Sequence, residues 1–194
     1  MDLAELHRRA CERFGDHVRA VRQDQWDAAT PCADWDVRTL VNHVVSEDLW
    51  TAPLMAGATI AEVGDKFDGD VVGSDPAAAY AGAAETAVAA ISADGALDRT
   101  VHLSFGDVPG EEYAWQLFAD HLIHGWDLAR AIGADDRLDP DLVAACAVWF
   151  AKNEDIYRSA GAVAPRPDLP ADADQQTVLL AAFGRQQPPR QAAT

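Results

Sequence analysis

Cysteine is scarce in this chain, with three among 194 residues, at Cys11, Cys32 and Cys146. The number is odd, the spacing is wide and no C-x-x-C occurs. That excludes a disulfide framework and an all-cysteine zinc site, and it fits a reducing, cytoplasmic compartment. Positive charge is also thin. Fifteen Lys and Arg face 32 acids, a net charge of −17. A surface of that sign repels phosphate backbones and anionic lipid, so neither nucleic acid nor a membrane is expected as a partner. It reads as a solubility surface. No apolar run reaches the roughly 18 residues of a membrane span. The start, MDLAELHRRACERFGDHVRAV, carries charges throughout and is not a signal peptide. Repeats, low-complexity blocks and clear linkers are absent, and β-branched runs are few.

What is there is apolar and alanine-rich: 49% of residues are hydrophobic and six are Trp. Such a composition predicts a packed globule built on close helix packing. We read residues 1–185 as one domain and 186–194 as a frayed tail. Leu3, Leu6, Ala10, Phe14 and Val18 recur at spacings of three and four, predicting a helix over residues 2–23. Asp34 or Asp36 caps a second helix running to about Trp50, with Val37, Leu40, Val41, Val44 and Val45 as its core stripe. Between Ala52 and Asp75 glycines alternate with acids, an irregular excursion. A third helix is expected from Pro76 to about Ala93. Val101, Leu103 and Phe105 alternate as a short strand or arm, turned at Gly106–Asp107. A fourth helix spans Gly110 to Ile132 and stops at Gly133. Asp139-Pro140 opens a fifth to about Arg158; a Pro- and Asp-rich loop follows, then a short helix in QQTVLLAAFGR. The class is all-α: a four-helix bundle with an irregular excursion after the second helix and short C-terminal helices.

The stretch ADHLIHGWDLARAIG, Ala119 to Gly133, carries the chemistry. Asp120 and His124 are four apart, so they stack on one helix face. The helix is apolar nearly all round and therefore central, and a buried Asp and His need partners or a metal ion. His43, beside the apolar stripe of the second helix, would complete a set of three, which leaves an open coordination position. Imidazole and carboxylate suit Zn²⁺ first, and also Ni, Fe or Mn. Spacing leaves a second reading open, a core pair of hydrogen-bonded histidines. Around these, Glu47 is a candidate fourth ligand or a solvated charge. Asp127 either orients a ligand imidazole or pairs with Arg130. Trp126 and Arg130 pack and cap the helix, and His121 is a core or solvent histidine. Cys32 reads as a small buried hydrophobe, with a redox-active thiol as the alternative. His7, His17 and His102 show no pattern.

PCADWDVRTLVNHVV, followed much later by ADHLIHGWDLARAIG and by LLAAFGRQ near the end, resembles the actinobacterial branch of the DinB-like superfamily. The resemblance is to the mycothiol-dependent maleylpyruvate isomerase N-terminal-domain family, and it touches most of the chain. It implies a DinB-like helical bundle holding a divalent metal on His43, Asp120 and His124, with Asp where Glu is frequent. It further implies mycothiol, or a similar small thiol, as co-substrate. The activity would be a thiol transferase or isomerase acting on small electrophiles. After Gly133 only ~60 residues remain, short of a typical domain, so the isomerase's separate C-terminal domain is not expected. The alternatives are a metal-binding or sensing bundle without turnover, and a structural bundle with hydrogen-bonded histidines. Monomer and homodimer both remain open.

Overall fold

Aspartate opens most of the long helices, which is one use of the acidic excess. In the computed structural model, which describes residues 2–186, helix α1 (Leu3–Ala20) is capped by Asp2 and α2 (Val37–Met55) by Asp36. Helix α3 (Ile60–Val63) is a single short turn inside the expected excursion. Asp75 caps α4 (Pro76–Ile91). A hairpin of β1 (Thr100–Leu103) and β2 (Gly106–Pro109) leads into α5 (Gly110–Ile132). Asp139 caps α6 (Pro140–Ser159) and Asp174 caps α7 (Gln175–Ala182). Each of these aspartates accepts a hydrogen bond from a backbone N–H in the first turn, at 2.8, 2.7, 3.1, 2.9 and 2.7 Å in chain order. Donors that the helix cannot satisfy itself are thereby paired.

The cap of α2 matters most here, because α2 carries His43. Asp36 accepts from the Thr39 N–H, and the Thr39 hydrogen bonds hold its carboxyl below the ordinary 3.8. Asp36→Ala is expected to cost about 1 kcal/mol, read as a lowered denaturation midpoint. A depressed carboxylate pKa stabilises above the unfolded value, so the wild-type advantage should vanish as the pH falls below 3.8 through the lowered folded value. An equal difference between the two proteins at pH 7 and at pH 2 would show that Asp36 is not a charged cap.

The chain divides into two compact units, Met1–Asp136 and Arg137–Thr194. In the first, α1, α2, α4 and α5 form the bundle: α1 lies along α5 and α4, and α2 along α4 and α5. The stripe expected on α2 is buried, with Val37, Leu40, Val41 and Val44 at 0% exposure beside Phe14, Val18, Tyr80 and Leu128. Helix α4 meets this core through Tyr80 and through Ala83 and Ala84, whose small side chains permit close approach. Helix α5 is buried nearly all round and ends at Gly133, whose φ of +71° closes the last turn through N–H bonds to Ala129 and Arg130. Its first residue must be glycine for another reason. A Cβ on Gly110 would lie 2.3 Å from the Ala96 carbonyl oxygen.

Two local expectations change. Helix α2 continues past Trp50 to Met55, with Pro53 inside its final turns. The hairpin turns at Ser104–Phe105, two residues ahead of the expected Gly106–Asp107, and Leu103 pairs with Gly106 to close the ladder. The reason is the start of α5: only residues 106–109 are free to pair with 100–103 before the helix begins. Phe105 is consequently a turn residue, 70% exposed.

In the second unit Phe150 of α6 stacks on Phe183 after α7, ring centroids 3.9 Å apart, and Arg158 donates to the Ala182 carbonyl. The expected tail lies, beyond Gln186, outside the described residues. Among the described residues no helix is long and apolar enough to cross a membrane.

Candidate metal centre

A strained loop places the first wall of the site. Thr30 accepts from the Cys32 N–H and its hydroxyl donates to the Trp35 carbonyl, while Asp34 sits at φ +66°, a left-handed conformation that Asp tolerates better than most residues. This tight turn delivers Trp35 against His43 and His124. Its ring centroid lies 4.8 Å from the former and 5.5 Å from the latter, stacked on His124.

Helix α2 supplies His43, and α5 supplies Asp120 and His124 from one face. The three converge. His43 Nε2 is 3.3 Å from Asp120 Oδ2, and His124 Nε2 is 3.3 Å from Asp120 Oδ1. One donor atom from each lies within 4.8 Å of the others. The two imidazoles meet edge to face at 5.2 Å. The contact to His43 is not aligned as a hydrogen bond, and Asp120 Oδ2 is buried without a hydrogen-bond partner. Two ligands of a tetrahedral zinc ion, bonded at roughly 2.0–2.2 Å, stand about 3.3–3.5 Å apart. The donor set, the spacing and the orphaned oxygen all fit a divalent ion, and they fit a hydrogen-bonded histidine pair less well. The site is not sealed, since the side chains of His43 and Asp120 are 29% and 26% exposed.

Electrostatics tie the group together. Burial pushes the Asp120 carboxyl up, but His124 and His43 outweigh it and hold it well below the usual carboxylate range. Burial pulls His124 down, but Asp120 and Asp127 raise it to about 9. His43 is likewise raised on balance, burial opposing Asp120. Ligation by neutral imidazole must displace those protons.

Asp127 resolves the choice between orienting and pairing. Its Oδ2 is 3.0 Å from His124 Nδ1, which leaves Nε2 of that ring to face Asp120, while Arg130 donates to Asp136 and lies over the Trp126 ring. Glu47 is placed one helical turn beyond His43. Burial, and then the Asp120 charge, push its pKa up. It lines a pocket of about 230 Å³ with Trp50, Leu54, Tyr113 and Gln116. His121 is a core residue, 1% exposed. His102 pairs with Asp107 on the hairpin, away from this group. Cys32 is half-buried, with a donor atom within 4.8 Å of His124 and Asp127. Reading the sequence missed Trp35 and Cys32 as site walls. Their place within the PCADW turn, just ahead of α2, was the available signal.

The fold and this geometry define a DinB-like helical bundle with a His–Asp–His cluster at its α2–α5 face. The chain belongs to the mycothiol maleylpyruvate isomerase N-terminal domain family, whose sequence profile matches residues 7–129. It is similar to two uncharacterized proteins of Mycobacterium tuberculosis. These are MT0763 of strain CDC 1551 / Oshkosh and Rv0738 of strain ATCC 25618 / H37Rv, each 34% identical over 142 residues, 73% of this chain and 74% of the relative. Among solved structures, a mutant of mycothiol-dependent maleylpyruvate isomerase shares the fold at TM-score 0.59 and 14% identity, covering 74% of this chain and 67% of that one.

Proposed function

We propose that this protein is a metal-dependent enzyme that uses a small thiol, mycothiol, to transfer to or isomerise small electrophiles. The observation that carries the reading is the convergence of His43, Asp120 and His124 around an orphaned carboxylate oxygen on a face that is open to solvent. Membership of a family named for a mycothiol-dependent isomerase supports a thiol co-substrate. Zinc suits the donors best.

His43 Nε2, His124 Nε2 and one Asp120 oxygen would hold the ion, which when bound lowers the pKa of a coordinated thiol or water. Asp127 fixes the His124 ring so that Nε2 presents its lone pair. Trp35 packs against both imidazoles and helps hold their orientation. Glu47, its carboxyl raised by burial, takes or returns a proton at the pocket it lines. That pocket is large enough for a small electrophile and has both an apolar wall, Trp50 and Leu54, and a polar one, Tyr113 and Gln116. A sealed cluster would favour a sensing or purely structural role; the partial exposure of His43 and Asp120 favours turnover.

The test is elemental analysis of the purified chain, followed by assay of an electrophile panel with and without mycothiol. One equivalent of metal held by this cluster and thiol-dependent turnover are expected. Metal without turnover would sink the enzyme reading, and no metal at all would sink both. A finer check addresses Asp127. Asp127→Asn keeps the shape but weakens the orienting bond to His124, so metal affinity should fall about 10- to 100-fold, measured by chelator competition. An unchanged affinity would mean that Asp127 serves only the fold.

A further inference from the structure

A second cluster lies inside the bundle, independent of the first. His7 and Cys11 stand four apart on α1, and Sγ of Cys11 is 3.4 Å from His7 Nε2. His121 of α5 completes a group whose donor atoms all lie within 4.8 Å of one another. Asp48 of α2 adds a carboxylate, its Oδ2 3.3 Å from His121 Nε2. All four are closed off from solvent, at 0% exposure for His7, 4% for Cys11, 0% for Asp48 and 1% for His121.

The hydrogen bonds say what the cluster lacks. His121 Nδ1 is 2.9 Å from the Leu117 carbonyl, which can only accept, so Nδ1 carries the proton. In the neutral ring Nε2 then presents a lone pair toward the Asp48 carboxylate. Two acceptors facing each other at 3.3 Å need a cation between or beside them. A proton on Nε2 would serve that one contact only. It would leave Asp48 Oδ1 as it stands, buried and without a hydrogen-bond partner. A divalent ion held by His7, Cys11 and His121 would lie beside that carboxylate and supply the missing positive charge. Zinc with sulfur at roughly 2.3 Å and nitrogen at roughly 2.0–2.1 Å sets those two ligands about 3.5 Å apart, close to the observed Cys11–His7 separation. One thiolate and one carboxylate neutralise a divalent ion, which an unexposed interior requires.

We propose that His7, Cys11 and His121 hold a second, closed divalent ion, with the Asp48 carboxylate beside His121 balancing its charge, so that α1, α2 and α5 are tied together. The Cys11 thiol releases its proton to solvent when the ion enters, and with no exposed side chain in the set the ion is loaded as the chain folds. It is closed off from solvent, unlike the His43–Asp120–His124 group, whose side chains are partly exposed.

The experiment is to refold the full chain with excess Co²⁺, remove unbound ion, and record stoichiometry and absorption. Two equivalents and a near-ultraviolet thiolate-to-cobalt charge-transfer band are expected, because the first cluster contains no cysteine ligand. Cys11→Ser should lose the band and one equivalent. His43→Ala should lose one equivalent and keep the band. Should Cys11→Ser not fold, the double variant Cys32→Ser/Cys146→Ser assigns the band instead: its persistence leaves Cys11 as the only thiolate. Absence of the band in the wild-type cobalt protein overturns the proposal. So does a band that survives Cys11→Ser, or one that disappears from the Cys32/Cys146 variant. The first cluster's failure would be separate, seen as a single equivalent that retains the charge-transfer band.

Discussion

Replacing His124 with alanine is expected to strip the ion from the His43–Asp120–His124 centre and to lower thiol-dependent turnover by more than about 100-fold, beyond the roughly 10- to 100-fold typical of losing an outer-shell partner. Three side chains leave little redundancy. Without His124, only His43 and Asp120 remain, and Asp127 loses the ring it orients. The bundle should survive. Leu117, Phe118, Leu122 and Leu128 of the same helix stay buried whatever happens at the site, and their apolar area is the main source of the helix's stability. The melting temperature should still fall by several degrees. Asp127 is fully buried, and removing a buried group's partner costs about 1–3 kcal/mol. Loss of a bound ion removes its linkage stabilisation as well. Metal stoichiometry, turnover with mycothiol and thermal midpoint should therefore be measured on one preparation. Metal held at the wild-type level by His124→Ala would make His124 a core histidine. A fully unfolded variant is addressed by His124→Gln, which fills the same space; if Gln also retains wild-type metal and turnover, the centre lies elsewhere.

Much of this arrangement could be read from the residues, for identifiable reasons. Helix boundaries were legible because each carries its own local chemistry: Asp36 and Asp139 at helix starts, Gly133 at an end, periodic valines between. Asp120 and His124 were legible because four-residue spacing places them on one face without any knowledge of tertiary structure. His43 required the further step of packing α2 on α5, which the family resemblance supplied. What remained hidden depends on chain segments meeting at long range. Trp35 reaches the site only because Asp34 adopts a left-handed turn. The position of the hairpin turn depends on where α5 begins. The cluster of His7, Cys11, Asp48 and His121 joins three helices and has only the His7–Cys11 spacing as a local trace. His121, one residue from Asp120, points instead to this other group, because adjacent helical residues diverge by about 100°.

The largest loss of stability from a single apolar truncation should come from Phe14. It is fully buried on α1 at the junction with α4 and α5: its ring lies 5.0 Å from Tyr80 and 5.8 Å from His121, and a Cβ on Gly125 would be 3.8 Å from it. Phe14→Ala removes a whole ring from a place where three helix backbones are already held apart by other side chains, so the gap cannot close by simple collapse. Such truncations cost about 3–5 kcal/mol. At roughly 2–4 °C per kcal/mol for a chain of this size, the melting temperature should drop by about 6–20 °C. Phe105, 70% exposed in the hairpin turn, is the matched control. The same chemical deletion there should stay within about 0.5 kcal/mol of wild type. Equal shifts from the two variants would mean that the bundle does not depend on the α1–α4–α5 junction. A small shift for Phe14→Ala alone would mean that α1 slides inward to fill the space. That slide would also move His7 and Cys11, so the cobalt charge-transfer band of the second cluster should change with it, whereas a rigid cavity would leave the band in place and show its cost in the melting temperature alone.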